Sequence, residues 1–272
     1  MNDVPARCGV IGFPLAHTRS PELHRAFAER CRVAQVYDVF AVTADEFENF
    51  VRAFFADGGL GLNVTLPHKS RALELADSAS GSAVRAGAAN VLTRRADGTV
   101  HADNVDGVGF LNDLARLQFD PPGMNICVLG AGGAAGGVIA ALLEADVKAI
   151  AVLNRHAERA RSLVVRMDDE RVAEFSGTEG AFDLLVNATS ASLAGECPDF
   201  PDNVIKPGTL AYDLVYAEQP TAFMRRAERV GAHTCDGWGM LVEQAAETFR
   251  LWHGMRPDTG YVRRHFALRK DK

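Results

Sequence analysis

The stretch Asn125-Ile-Cys-Val-Leu129-Gly130-Ala131-Gly132-Gly133-Ala134-Ala135 decides how this chain folds. A short apolar run enters a G-x-G-x-x-A spacing, and a helical pattern over residues 133–144 follows at once. A bare G-x-G says little, because glycines often merely make a turn. The strand before it and the helix after it are the context that a dinucleotide-binding loop requires. Gly130 permits the tight turn and Gly132 lets the backbone approach a pyrophosphate. Ala135 allows close helix–strand packing, while the N–H groups around Ala131, Gly133 and Ala134 face negative charge at a helix start.

Working outward, strand 148–153 closes the first mononucleotide-type unit. Helix 156–171, strands 183–187 and 209–214, helix 221–230 and strand 233–235 continue it. The Pro121-Pro122-Gly123 break precedes it, and before that break an independent βα alternation is legible. Strands are expected over 7–12, 35–42 and 60–65, helices over 21–31, 45–56 and 108–117, and a hairpin over 89–94 and 99–102 around Asp97-Gly98. Ser20 before Pro21 reads as an N-cap, and Thr43-Ala-Asp-Glu46 as a capping box. The last apolar stripe, Leu241, Ala245, Phe249 and Trp252 within a helix over 240–252, must pack on something. The pattern is that of an α/β chain with mostly parallel sheets.

Composition bounds the function. With 272 residues, 47% hydrophobic and 24% charged, the chain is an ordinary globular sequence of one or two domains. Lys+Arg 29 against Asp+Glu 35 leaves a formal charge of -6, which argues against a nucleic-acid binder that lives by counterion release. The basic tail Arg263, Arg264, Arg269, Lys270 and Lys272 reads as a solvated helix face. Five scattered cysteines, Cys8, Cys31, Cys127, Cys197 and Cys235, form no C-x-x-C pair, so neither a disulfide framework nor a metal site is expected. Residues 1–7 lack the basic start and apolar stretch of a signal peptide, and the weakly polar run 126–143 is broken by five glycines, so no membrane span is expected and the cytoplasm is.

The second strand of the glycine-loop unit ends in Asn154-Arg155-His156, with Arg159 one turn on. An NAD site usually places a carboxylate there for the ribose 2′-hydroxyl, whereas arginine suits a 2′-phosphate, so the expected cofactor is NADP (NADPH). Two polar clusters occur in the first part of the chain: Asn63-Val-Thr65-Leu-Pro67-His-Lys69 and Asp103-Asn104-Val-Asp106-Gly107. Taken singly, Lys69 reads as a solvated lysine, Asp106 as an N-cap and Asn90 as a turn residue.

Together with Gly12-Phe-Pro14…His17-Thr18-Arg-Ser20-Pro21…His24, Gly87-Ala-Ala-Asn90, Asn187-Ala-Thr189-Ser190, Asp213-Leu214-Val-Tyr216 and Gly237-Trp-Gly239…Gln244-Ala-Ala, these motifs make the chain resemble the shikimate dehydrogenase family (shikimate/quinate dehydrogenases) along nearly its whole length. The resemblance implies two domains, an α/β substrate-binding domain with a mostly parallel sheet and a Rossmann-type NADP-binding domain. It places substrate-domain residues at 1–106, the NADP domain at 107–237, and C-terminal helices returning to the first domain at 238–272. It implies Lys69 and Asp106 as the catalytic pair and Thr18, Ser20, Asn63, Thr65, Asn90, Tyr216 and Gln244 as substrate contacts. Thr189, Leu214 and Gly237 join Gly130 to Ala134, Asn154, Arg155, His156 and Arg159 as implied cofactor contacts.

The implied reaction is reversible NADPH-dependent reduction of 3-dehydroshikimate to shikimate, in aromatic amino-acid (chorismate) biosynthesis, by a monomer or homodimer with no nucleic-acid or membrane partner. Departures from the family pattern at Thr18 (usually Ser), Val105 (Thr), His156 (Thr or Ser) and Trp238 (Leu) leave quinate or another cyclic polyhydroxy acid as an alternative substrate. A catalytically weak NADP-binding regulatory module is the alternative of a different class, although such a module has no need of a proton-transfer pair.

Overall fold

A computed structural model describes residues 4–15 and 18–267; His17 of the first motif, residues 1–3, and Arg269, Lys270 and Lys272 of the tail lie outside the described residues. The chain divides into two compact units, residues 1–109 with 242–272, and residues 110–241. In the first unit the elements run β1 (Ala6–Gly12), α1 (Ser20–Cys31), β2 (Gln35–Ala41), α2 (Phe47–Ala56), β3 (Gly61–Val64), α3 (Lys69–Leu75), β4 (Ser78–Ala79), α4 (Gly81–Ala86), β5 (Val91–Arg94), β6 (Val100–Asp103) and the start of α5 (Asp106–Arg116). The second unit carries β7 (Asn125–Leu129), α6 (Gly133–Glu144), β8 (Ala149–Leu153), α7 (Ala157–Met167), β9 (Val172–Glu174), β10 (Leu184–Asn187), β11 (Leu210–Asp213), α8 (Ala222–Glu228) and β12 (His233–Cys235). Helices α9 (Trp238–His253) and α10 (Thr259–Ala267) end the described chain.

The first sheet has the order β2-β1-β3-β5-β6-β4. β1 pairs parallel with β2 and β3, and the hairpin strand β5 runs antiparallel to both β3 and β6. Its core is packed by α2, whose Phe47, Val51, Phe54 and Phe55 recur at helical spacing and are all buried against Ile11, Leu62, Val64 and Leu92. Each such side chain contributes about 1.5–3 kcal/mol of burial. The apolar stripe of α9 finds its partner here. Gly61 of β3 has no side chain where the Trp252 indole lies, so a Cβ at that position would overlap the ring.

The second sheet is parallel throughout, with the order β12-β11-β10-β7-β8-β9. Numbered from β7 this is the doubly wound 3-2-1-4-5-6 arrangement, whose strand order reverses between β7 and β10. Its four inner strands, β11, β10, β7 and β8, are largely apolar on both faces, as parallel strands covered by helices on both sides must be. Ile126, Val128, Leu184 and Val186 pack in one core, and the alternating Cys127, Leu129 and Leu185 in the other. Helix α6 is buried at every position from Ala135 to Leu143, which explains why its sequence is apolar all round.

Several local expectations are corrected. Ser20 is the first helical residue of α1, not its cap; Arg19 holds the cap position, and its side chain pairs with Glu22 at 3.1 Å instead of capping the helix. Thr43 keeps half of the expected box, its N–H and hydroxyl both donating to the Glu46 carboxylate, but the helix proper begins later, at Phe47. Helix α7 stops at Met167, where Asp168 adopts φ 47°, short of the expected 171. Elements α3, α4, β4 and β9 are too short to leave a periodic signal.

Candidate active site

Lys69 opens α3 directly beyond β3, and Asp106 opens α5 directly beyond β6. The strand pairing that aligns β3, β5 and β6 therefore brings together side chains far apart in sequence. Lys69 Nζ donates to Asp106 Oδ2 at 2.6 Å, with side-chain exposures of 14% and 5%, so the pair is largely shielded from screening by solvent. The other carboxylate oxygen, Oδ1, accepts from Asn90 Nδ2 at 2.8 Å, and the same Nδ2 reaches Gln244 Oε1 on α9 at 3.1 Å. Backbone bonds hold the cluster rigid: Ala89 N–H donates to the Lys69 carbonyl at 2.8 Å, and Val105 N–H to Asn90 Oδ1 at 2.8 Å. Sequence reading missed Asn104, although it stands inside a quoted motif. Its Oδ1 accepts from Asp106 N–H at 3.1 Å and its Nδ2 donates to the Ala88 carbonyl at 2.9 Å, tying both loops together.

Thr18 and Ser20 lie together at the start of α1, Oγ1 to Oγ 3.3 Å. Thr65 caps the end of β3, its N–H bound to Ile11 and its methyl group filling the space that Gly12 leaves. Asn63 accepts from the Tyr37 hydroxyl at 2.8 Å and donates to Thr248 Oγ1 at 3.1 Å. Behind them His24 is fully buried, stacked on Tyr37 with centroids 4.2 Å apart, and neither ring nitrogen has a hydrogen-bond partner. Burial, aided by His253 and opposed by Asn63, pushes its pKa down to about 3. Burial also raises the Tyr37 phenol well above its usual range, with the Ser20 hydroxyl pulling the other way.

Of the residues expected at the substrate, Tyr216 alone lies in the second unit, its ring edge-on to Trp238 at 6.2 Å. The glycine loop there has the shape its sequence demands. Gly130 has φ 108°, and a Cβ on it would press within 3.0 Å of the Ala188 carbonyl oxygen, whereas Gly132, at the cap of α6, faces open space. A loop with bare N–H groups, room for a ligand and a helix start beyond it fits a pyrophosphate. Arg155, His156 and Arg159 are exposed, and among the described residues neither arginine is in an ion pair, so both are available to a 2′-phosphate. Asn154 braces that turn, its Nδ2 donating to the His156 carbonyl at 2.9 Å. Thr189 bonds to Asn187 Oδ1, and Leu214 touches Gly237 so closely that a Cβ there would overlap its carbonyl oxygen. The Asn187–Asp213 pair (3.0 Å) secures both loops at the C-terminal ends of β10 and β11. Among the described residues no group of three or more His, Cys, Asp or Glu side chains is placed to hold a metal ion, and no helix is long and apolar enough to cross a membrane.

Comparison with known proteins agrees along the chain. Residues 10–92 match the shikimate dehydrogenase substrate binding domain, 113–194 the shikimate / quinate 5-dehydrogenase family, and 237–265 the shikimate 5'-dehydrogenase C-terminal domain. The shikimate dehydrogenase (NADP(+)) of Methylococcus capsulatus is 46% identical, the match covering 94% of each chain. Among solved structures, an Ael1 enzyme from Pseudomonas putida superposes with TM-score 0.87 at 41% identity, covering 94% of this chain and 96% of that one. The shikimate 5-dehydrogenase of Thermus thermophilus, solved with NADP(H) and shikimate, superposes with TM-score 0.85 at 32% identity, covering 94% and 96%.

Proposed function

We infer, for a chain that belongs to the shikimate dehydrogenase family, the reversible NADP-dependent reduction of 3-dehydroshikimate to shikimate, with Lys69 as the proton-transfer group. The observation that carries this reading is the shielded Lys69–Asp106 pair with Asn90 and Gln244 packed on it. NADPH, when bound, supplies the hydride; the pyrophosphate loop from Gly130 to Ala134, with Asn154, Arg155, His156, Arg159, Thr189, Leu214 and Gly237, would hold it.

What the chain itself supplies is control of a proton and of a polyol's orientation. As the carbonyl becomes an alcohol, its oxygen gains negative charge and needs a proton. An ammonium has three N–H donors; Asp106 engages one, leaving others for the substrate oxygen. Asp106 holds Nζ in place and balances its charge, and Asn90 keeps that carboxylate from rotating. In the oxidative direction the neutral amine recovers the proton. The Thr18 and Ser20 hydroxyls donate to the substrate carboxylate, and Asn63, Thr65, Asn90, Tyr216 and Gln244 bind its ring hydroxyls or carboxylate. Apart from Tyr216, the substrate contacts come from the first unit, and the cofactor contacts come from the second. The enzyme works in the cytoplasm, where its five free cysteines stay reduced, as a monomer or homodimer with no nucleic-acid or membrane partner.

A steady-state panel of shikimate and quinate, each with NADP and NAD, tests the reading. Shikimate with NADP should give the highest kcat/KM, and Lys69→Met should lower kcat by roughly 10²–10⁴ with little change in KM. Higher kcat/KM for quinate would overturn the substrate assignment. Near-normal kcat in Lys69→Met would overturn the role of Lys69.

A further inference from the structure

A carboxamide offers two N–H donors and two oxygen lone pairs. For Asn63, three of these four positions are taken within the first unit. Nδ2 faces Thr248 Oγ1 at 3.1 Å and, at the longer 3.5 Å, the Asn90 carbonyl oxygen, while Oδ1 accepts from the Tyr37 hydroxyl at 2.8 Å. A backbone carbonyl can only accept, so the nitrogen must lie on the Asn90 side and the oxygen toward Tyr37. One lone pair of Oδ1 is left over.

We propose that Tyr37 and Thr248 are positioning residues that lock the Asn63 carboxamide with this single lone pair presented, so that Asn63 reads a ring hydroxyl of the substrate as a donor. The inference rests on the assignment of Asn63 to the substrate. Neither positioning side chain is free to drift. The Tyr37 ring is stacked on His24 at an interplanar angle of 15° and lies 6.3 Å from Trp252, and Thr248 is fully buried on α9, one turn beyond Gln244. Burial keeps the phenol protonated, hence a donor, across the working pH range. A locked acceptor discriminates by chemistry. It accepts a hydrogen bond from an O–H at that ring position and rejects a keto or ether oxygen, whose lone pairs would face its own.

Kinetics of the full chain with shikimate and NADP test this through Tyr37→Phe, Thr248→Val, Thr248→Ser, Asn63→Ala and the double variant Tyr37→Phe/Asn63→Ala, with Tm measured for each. Loss of one neutral hydrogen bond corresponds to roughly a threefold to tenfold effect. Tyr37→Phe and Thr248→Val should each raise KM for shikimate by about that factor, with kcat and KM for NADP within about twofold. Thr248→Ser should restore the wild-type KM. In the Asn63→Ala background, Tyr37→Phe should add nothing, because its effect is transmitted through Asn63.

The inference is overturned if Tyr37→Phe and Thr248→Val leave KM for shikimate unchanged while Asn63→Ala raises it. Equally, an undiminished Tyr37→Phe effect in the double variant would show that it acts independently of Asn63. An Asn63→Ala variant with wild-type kinetics would instead remove the assignment of Asn63 to the substrate, and this inference with it.

Discussion

His24 should make the first unit acid-sensitive, by an amount that follows from its burial. The imidazole is 0% exposed with both nitrogens unpartnered, and its pKa is pushed from 6.5 down to about 3. The groups facing it from neighbouring elements are Phe27 on α1, Tyr37 on β2, Asn63 on β3, and Phe249, Trp252 and His253 on α9, with no carboxylate among them. The pKa of His253 is itself lowered by burial. Between pH 6.5 and about 3 the unfolded chain therefore binds a proton at this site that the folded chain refuses, so stability falls as the pH falls. At about 1.4 kcal/mol per pH unit below 6.5, moving from pH 7.5 to 5.0 removes about 2 kcal/mol through His24 alone.

The comparison that isolates it is denaturant unfolding of wild type and His24→Phe, both in a Trp238→Phe background so that Trp252, in the first unit, is the sole tryptophan reporter. Phe keeps a ring against Tyr37 and places no unpartnered nitrogen in the core, and any overpacking cost is the same at both pH values. The stability difference between the two proteins should shift by about 2 kcal/mol in favour of Phe between pH 7.5 and 5.0. If the two curves fall in parallel, to within about 0.5 kcal/mol, burial does not hold His24 neutral and the reasoning fails.

Three further outcomes are expected. Gly237→Ala would drive a Cβ into the Leu214 carbonyl, so the backbone must move, and a loss of about 2 kcal/mol or more in thermal or denaturant unfolding should accompany a higher KM for NADP. Arg155→Gln should raise KM for NADP by roughly fivefold to tenfold while leaving that for NAD nearly unchanged, because only the former carries the 2′-phosphate; equal effects on both would remove Arg155 from that role. Asp213 is fully buried, with Oδ1 accepting from Asn187 Nδ2 and Val215 N–H, and Oδ2 from the hydroxyls of Ser192 and Thr221. Since hydroxyls can turn to accept from an amide, Asp213→Asn should cost no more than about 1 kcal/mol, whereas Asp213→Ala strands four donors and should cost at least about 2 kcal/mol by the same unfolding assay.

The reading of the second unit from sequence succeeded because its signals are local. A glycine that must take φ 108°, an apolar strand ahead of it and a helix start behind it act within a dozen residues, and parallel strands buried on both faces leave continuous apolar runs. Local signals failed where the helix began a residue away from the residue with cap composition or where the element was short. Ser20 has the composition of a cap but lies inside α1, its hydroxyl beside that of Thr18, and six- and seven-residue helices such as α4 and α3 show too few turns for a period.

The candidate site divides in the same way. By itself the sequence determined the alternating α/β grammar, the phosphate loop, the expectation of a 2′-phosphate and, through ordered motifs, the family. Only the tertiary structure decided that Lys69, Asp106, Asn90 and Gln244 form one hydrogen-bonded cluster, that Asn104 braces it, that Tyr37 and Thr248 bond to Asn63, and that His24 is a fully buried ring. The physical reason is range. A turn or a cap is settled by neighbours in the chain, whereas a contact such as Asn63 with Thr248, 185 residues apart, exists only because strand order and the docking of α9 on Gly61 bring the two together.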